Sequence, residues 1–123
     1  MLGRMTLRCR PSWALVALGL TFAACGTASG PDNLDLTIYR IIQEALNNAV
    51  KHAQATTVSI FIRKTSGQIE LKVQDNGIGF DPEQVKKGAG LKSIKNRVYL
   101  TNGKLQIQSS PGHGCTLIIL FKI

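Results

Sequence analysis

The pattern of apolar and polar positions divides residues 32–123 into helical and extended segments. Between Leu34 and Ala53 the apolar residues recur at steps of three and four, which gives a helix one continuous buried face. Residues 56–64 and 69–73 instead alternate with period two on either side of a Ser-Gly-Gln turn, which is typical of a β-hairpin. These periods predict a long helix followed by two antiparallel strands.

The second half of the chain repeats that order. Residues 76–90 contain four glycines and no sustained period, so they predict a loop. Spaced apolar residues over 91–100 predict a second helix, and strands follow at 105–107 and 115–121. Each helix has one apolar face to lay on one sheet. The predicted fold class is therefore α+β: a two-layer sandwich with helices on one face of a mostly antiparallel sheet.

Residues 1–31 have a different pattern and are expected to lie outside the folded domain, which takes residues 32–123. Three arginines precede a twelve-residue apolar run from Trp13 to Ala24, and small residues follow. This order is typical of a signal or anchor segment, although the run is shorter than the roughly 20 residues of a membrane-spanning helix. Membrane association would come through residues 11–26. A wrongly assigned chain start is the alternative interpretation.

Composition adds a basic charge balance to this picture. The chain has 15 Lys and Arg against seven Asp and Glu, a net charge of +8. Because these charges are scattered rather than gathered into a stripe, they indicate a polyanionic ligand but no direct contact with nucleic acid. The three cysteines have neither Cys-x-x-Cys nor Cys/His spacing, which argues against a zinc site or a disulfide framework.

Asp75 is the first candidate for a functional residue. The alternation of the second strand carries its carboxylate to the helix-covered side, where an unpaired charge is costly. It needs a donor there, either a protein group or a ligand group such as an adenine amino group. The following Asn-Gly-Ile-Gly segment lets a ligand approach the backbone closely. An ordinary exposed Asp-Asn-Gly turn is the alternative.

The first helix carries the second candidate site. Glu44 and Asn48 are four residues apart and therefore share one face, with Lys51 one turn further on. A carboxylate and an amide oxygen at this spacing suit a hydrated Mg²⁺ shared with phosphate oxygens. The carboxylate can equally polarise an attacking group. A solvated polar helix face is the alternative.

Two glycine pairs are the third candidate feature. Gly88-Ala89-Gly90 leads into the second helix, and Gly112-His113-Gly114 precedes the last strand. Backbone N–H groups at the start of a helix favour a phosphate group. Plain turns also use such pairs, so both interpretations are open at this point.

Taken in order, these motifs resemble the ATP-binding domain of two-component sensor histidine kinases. The segments that carry the resemblance are Gln43–Ala53, Asp75–Phe80, Gly88–Leu91 and Gly112–Gly114. That domain belongs to the GHKL superfamily and has the Bergerat fold, and the similarity covers about residues 33–123. The first helix and the segment Gly90–Val98 are most similar to kinases paired with response regulators that have a LuxR-type DNA-binding output.

The resemblance implies ATP and Mg²⁺ as cofactors and a role for each motif. The position of Asp75 accepts a hydrogen bond from the adenine amino group, and that of Asn48 coordinates Mg²⁺. The position of Glu44 is implicated in activating phosphoryl transfer. The remaining nucleotide-binding positions are Lys51, Gly77, Gly79, Gly88, Gly90, Leu91 and Thr116.

Several departures from the family pattern qualify this expectation. Cys115 stands where the family usually has Thr, so the hydrogen bond near adenine passes to Thr116 or is lost. The family usually has a strand before the first helix, and here that position is taken by the signal-like segment. One edge of the sheet is therefore expected to be missing or poorly filled. A dimerisation helix with a phosphoacceptor histidine is not recognised in the sequence.

The expected function is that of the catalytic domain of a sensor histidine kinase. It transfers the γ-phosphoryl group of Mg-ATP to a histidine in trans, on a dimerisation domain and through it to a response regulator. A non-enzymatic nucleotide-binding or partner-binding module, or a truncated remnant with the same fold, is the alternative. The expected location is the cytoplasm, where ATP is available, and the signal-like leader conflicts with it.

Overall fold

The computed structural model describes residues 2–8, 34–81, 83 and 89–123. These residues form two helices and five strands. The elements are β1 (Leu2–Arg8), α1 (Leu34–Lys51), β2 (Thr57–Lys64), β3 (Gln68–Asp75), α2 (Ala89–Leu100), β4 (Lys104–Ser109) and β5 (Cys115–Lys122). From α1 onwards, their order is the order that the periodicity predicts.

The five strands form one antiparallel sheet in the order β1-β2-β3-β5-β4. The register places Asp75, the last residue of β3, between Val58 of β2 and Cys115 of β5. Both helices lie on one face of this sheet and contact each other. The α+β sandwich expected from the sequence is therefore confirmed.

The core lies between the helices and the sheet. Alternate residues of β3 and β5 are buried there, as the period of two requires. The helices contribute residues at steps of three and four. The largest fully buried side chains are Phe121, Ile41, Leu71, Ile94, Ile119 and Val58.

One edge of the sheet differs from the expectation. Leu2–Arg8 pairs antiparallel with β2, from the pair Leu2 and Arg63 to the pair Arg8 and Thr57. This corrects the prediction that all of residues 1–31 lie outside the fold, and the expectation of a poorly filled edge. The physical reason is that β2 would otherwise leave a row of backbone N–H and C=O groups unpaired. The apolar run at 13–24, on which the leader prediction depends, lies outside the described residues.

Neither helix in the described part of the chain is long and apolar enough to cross a membrane.

Candidate functional site

A cavity of about 680 Å³ opens between the second half of α1 and the sheet. On the helix side, Ala45, Ala49 and Ala53 follow one another at steps of four, so this face presents only methyl groups. On the sheet side the floor is formed by Val58, Val73 and Leu117. Short side chains on the helix leave open the space that larger ones would fill. The volume lies in the range of small-molecule and cofactor sites.

Asp75 lies at one side of this cavity, on the helix-facing side that its strand period predicts. Its side chain is partly buried, and its Oδ1 accepts a hydrogen bond of 2.9 Å from the backbone N–H of Gly77. Within the part of the chain that the structure describes, Oδ2 takes no protein donor. Asp75 therefore presents one carboxylate oxygen to a ligand donor.

The loop after Asp75 is fixed to the end of α1 and the start of β2. The side-chain oxygen of Asn76 accepts from the backbone N–H groups of Thr56 and Thr57, at 3.0 and 2.9 Å. The N–H of Ile78 donates to the carbonyl of Ala53 at 2.8 Å. A Cβ atom at Gly77 would overlap that same carbonyl. Gly77 therefore supports the wall of the cavity by close packing.

Gly79 is held against the turn that precedes β5. It has a φ of +64°, which favours glycine, and a Cβ atom there would overlap the carbonyl oxygen of Ser110. Gly114 in that turn has a φ of +69°, and a Cβ atom there would overlap the carbonyl oxygen of Asp75. Both glycines are therefore required by the close approach of the two segments.

The polar rim of the cavity comes from one face of α1. Glu44, Asn48 and Lys51 all line the cavity, at the steps of four and three that the sequence indicates. Glu44 and Asn48 are half-buried, whereas Lys51 is exposed. The rim thus places a carboxylate, an amide oxygen and an ammonium group beside an apolar interior.

Cys115 faces Asp75 across the strand pair and also lines the cavity. Burial of the thiol, helped by the nearby negative charge of Asp75, raises the pKa of Cys115 to about 11, against a smaller lowering effect of a hydrogen bond with Ser109. The thiol therefore stays protonated and neutral at physiological pH.

The structure brings most of the predicted site residues together. The cavity is lined by Glu44, Asn48, Lys51, Asp75, Gly79 and Leu91. Gly77 stands behind the wall, and Gly90 lies in the first turn of α2 just before Leu91. Gly88 lies outside the described residues.

The prediction that Thr116 is a site residue is corrected by its position in the sheet. Adjacent residues of a strand point to opposite faces of the sheet, and Cys115 and Leu117 are the neighbours that face the cavity. Thr116 therefore lies on the face away from the helices, beside Gln74 and Gln108 in the register. The hydrogen bond that the family's Thr would make near adenine does not pass to Thr116.

Besides the alanine face, the apolar floor and Cys115, the lining includes four residues that had no site role in the sequence prediction: Asn47, His52, Ile78 and Phe80. Asn47 and His52 adjoin predicted site residues on α1, and Ile78 stands between the glycines of the loop. Phe80 directly follows that Gly-x-Gly. In the sequence, each of these four residues is marked only by lying next to a motif. That position does not show which side chains turn toward the cavity.

The described residues contain no group of three or more His, Cys, Asp and Glu side chains arranged to hold a metal ion. A Mg²⁺ ion that accompanies a nucleotide needs no such group. It is usually held by one or two protein oxygens together with phosphate oxygens and water. The oxygens of Glu44 and Asn48, at the rim of the cavity, fit that requirement.

Comparison with known proteins shows the family to which this chain is similar. Residues 33–123 match the model of the histidine kinase-, DNA gyrase B- and HSP90-like ATPases. Over 94 residues, the chain is 37% identical to the signal transduction histidine-protein kinase/phosphatase DegS of Brevibacillus brevis, covering 76% of this chain and 24% of DegS. It is 45% identical over 91 residues to the sensor histidine kinase ComP of Bacillus subtilis (strain 168), covering 72% of this chain and 12% of ComP.

A solved structure with the same fold is the blue-light activated histidine kinase of Erythrobacter litoralis EL346. The TM-score is 0.60 at 24% sequence identity, over 69% of this chain and 29% of that kinase. The chain spans about a quarter or less of the length of the two curated relatives.

Proposed function

The chain belongs to the family of histidine kinase-, DNA gyrase B- and HSP90-like ATPases, and we propose that it is the ATP-binding catalytic part of a sensor histidine kinase. In this proposal it transfers the γ-phosphoryl group of ATP to a histidine supplied in trans. The observation that carries the proposal is one cavity with the Asp75 carboxylate on one side and the polar rim of α1 on the other.

Asp75 selects the base in this proposal. An adenine ring offers two flat apolar faces and an amino group that donates hydrogen bonds. The apolar floor and the alanine face of α1 suit the ring faces, and the free oxygen of Asp75 suits the amino group. A base with a carbonyl in that position would place an acceptor against the carboxylate, which is unfavourable.

The phosphate groups lie toward the rim and the start of α2. Lys51 supplies a positive charge there, and the first turn of α2 at Gly90 and Leu91 presents backbone N–H groups to an anion. Asn48 would hold Mg²⁺ together with phosphate oxygens and water, and the bound ion would neutralise charge on the phosphate oxygens.

The chain's own part in the chemistry is mainly positioning, because phosphoryl transfer requires little covalent help from the protein. Glu44 is the proposed catalytic residue. Its half-buried carboxylate accepts the proton of the other, non-attacking imidazole nitrogen of the incoming histidine, which makes the attacking nitrogen a better nucleophile, and ADP leaves as its bond to the γ-phosphorus breaks. The cavity walls orient the nucleotide so that its terminal phosphate faces the solvent side of the rim.

The proposed partner is a dimerisation domain with the phosphoacceptor histidine, and through it a response regulator of the LuxR-type class. The two curated relatives are named as histidine kinases, which supports this partner class. The proposed location is the cytoplasm, where ATP and such partners are present.

The test combines the chain with the phosphoacceptor domain of a related sensor histidine kinase and labelled ATP. We expect label on the acceptor histidine, and loss of that label in Glu44→Gln with ATP affinity nearly unchanged. Asp35→Asn is the matched control, because Asp35 is an exposed carboxylate in the first turn of the same helix and lies outside the cavity lining. ATP binding without any transfer would instead indicate a non-enzymatic nucleotide-binding module.

A further inference from the structure

The wall of the cavity that contains Gly79 and Phe80 is fastened to the turn before β5. The backbone N–H of Gly112 donates to the carbonyl of Ile78 at 2.6 Å. The backbone N–H of Phe80 donates to the hydroxyl oxygen of Ser109 at 2.9 Å. That hydroxyl in turn donates to the carbonyl of Gly114 at 2.8 Å. Two separate segments of the cavity wall are thus joined through one side chain.

Ser109 is suited to this task by its place in the sheet. It ends β4, half-buried, directly opposite Cys115 in the register. A serine hydroxyl has one donor and can accept as well, so it can serve Phe80 and Gly114 at the same time. Phe80, one of its two partners, and Cys115, which follows the other partner Gly114, both line the cavity.

We propose that Ser109 is a positioning residue for nucleotide binding. Its hydroxyl holds the Phe80 side of the loop at a fixed distance from the start of β5, and this distance sets the width of the cavity beside Asp75. This inference rests on the proposed function, since the ligand it concerns is ATP.

A role in binding rather than in folding follows from the other contacts of the loop. Asn76 joins the loop to β2, and Ile78 joins it both to the end of α1 and to the turn. These bonds do not involve Ser109. Loss of its hydroxyl therefore releases the Phe80 end, while the Asp75 end stays attached.

The first test compares Ser109→Ala with Ser109→Thr and Ser110→Ala in the full chain. Thr keeps the hydroxyl, and Ser110 is the adjacent exposed serine outside the cavity lining. The Kd for ATP is measured by calorimetry well below the unfolding temperature, with far-UV circular dichroism to verify folding. We expect Ser109→Ala to raise the Kd roughly 2- to 10-fold, the loss of about one hydrogen bond, and the other two variants to bind like the wild type. If Ser109→Ala does not fold, Ser109→Cys, which keeps the volume with a weak donor, replaces it.

Hydrogen exchange of the Phe80 amide tests the bond itself without nucleotide. It should accelerate in Ser109→Ala and stay at the wild-type rate in Ser110→Ala. Faster exchange with an unchanged Kd would overturn the positioning role. Unchanged exchange would show that the hydrogen bond is not formed in solution.

A double-variant comparison with Phe80→Ala tests whether Ser109 affects ATP binding through the position of Phe80 or through a general loss of structure. If Ser109 acts through Phe80, the double variant Ser109→Ala/Phe80→Ala should lose little more affinity than Phe80→Ala alone. Fully additive losses would contradict the inference. The wild-type titration distinguishes this failure from a failure of the proposed function, since a wild-type chain that binds no ATP would overturn both.

Discussion

The two halves of the layer between α1 and the sheet use the same strands and differ in what the helix contributes. The first half of α1 buries Ile38 and Ile41, and the second half buries Ala45 and Ala49. An isoleucine reaches into the packed core, whereas an alanine methyl leaves a gap above the strands. We call these regions the filled end and the open end. The filled end accounts for stability, and the open end provides room for a ligand.

This difference teaches that stability and binding are separable in neighbouring parts of one layer. At the filled end, Leu71 and Ile119 face each other across the strand pair with no exposed surface. Four residues further along the same strands, the facing pair is Asp75 and Cys115 at the edge of the cavity. Substitutions at the two ends should therefore affect different measurements.

The largest effect is expected from Leu71→Ala at the filled end. It removes a fully buried side chain and leaves a void, so the free energy of unfolding should fall by about 2 to 5 kcal/mol. Urea denaturation followed by circular dichroism measures the change. The ATP affinity of the folded fraction should stay close to that of the wild type. A loss below about 1 kcal/mol would mean that this end is not tightly packed.

The converse change is Ala49→Leu at the open end. Ala49 is almost fully buried and lines the cavity, so the longer side chain should occupy the space of the adenine ring. We expect ATP affinity to fall by roughly tenfold or more, with a cost in stability of about 1 kcal/mol or less, because the cavity has room for the added atoms. Calorimetric titration with ATP and urea denaturation measure the two quantities. A stable Ala49→Leu variant that binds ATP with wild-type affinity would show that the nucleotide does not bind beside Ala49.

The third change removes the charge of the open end. Asp75→Asn keeps an oxygen for the N–H of Gly77 but turns its NH₂ group, a donor, toward the adenine amino group, which is also a donor, so the Kd for ATP should rise roughly 10- to 100-fold. Asp81→Asn is the matched control, since Asp81 likewise accepts a backbone N–H two residues on, from Glu83 at 2.9 Å, and lies outside the cavity lining. Equal effects of the two variants would contradict the role of Asp75.

The last expected effect, which appears only at alkaline pH, is a pH dependence of stability from Cys115. Its pKa is raised to about 11 in the folded chain, from an ordinary value of 9.0, by burial and by the charge of Asp75. The unfolded chain therefore loses this proton first, so the contribution to stability is constant below pH 9 and is lost as the pH rises toward 11. We expect the wild type to lose up to about 2 kcal/mol relative to Cys115→Val over that interval. Parallel stability profiles for the two proteins would show that the thiol is not shielded.

Much of this molecule could be predicted because its periods are regular. The steps of three and four in α1 and the alternation in β3 fix which side chains turn inward, and they aim Asp75 at the helices. The cavity floor was not predictable in this way. It depends on the register that brings Val58, Val73 and Leu117 together from three strands, and no local pattern encodes that register.

Two differences between sequence and structure have equally specific causes. The basic residues of Leu2–Arg8 are typical of the start of a leader. The local sequence of this seven-residue segment, beside an apolar run, does not indicate that it pairs with β2. The hydroxyl group of Thr116 suits a hydrogen bond near adenine, although its strand phase turns it away from the cavity. Strand phase was the better guide, since it places Cys115 on the helix-facing side of the sheet.

The most direct measurement is a titration of the full chain with ATP and Mg²⁺, followed residue by residue through amide chemical shifts. The account predicts saturable changes concentrated at the open end, at Ala45, Ala49, Asp75, Gly79 and Cys115, with little change at Leu71 and Ile119. Changes confined to the opposite face of the sheet, or no saturable change at all, would contradict it.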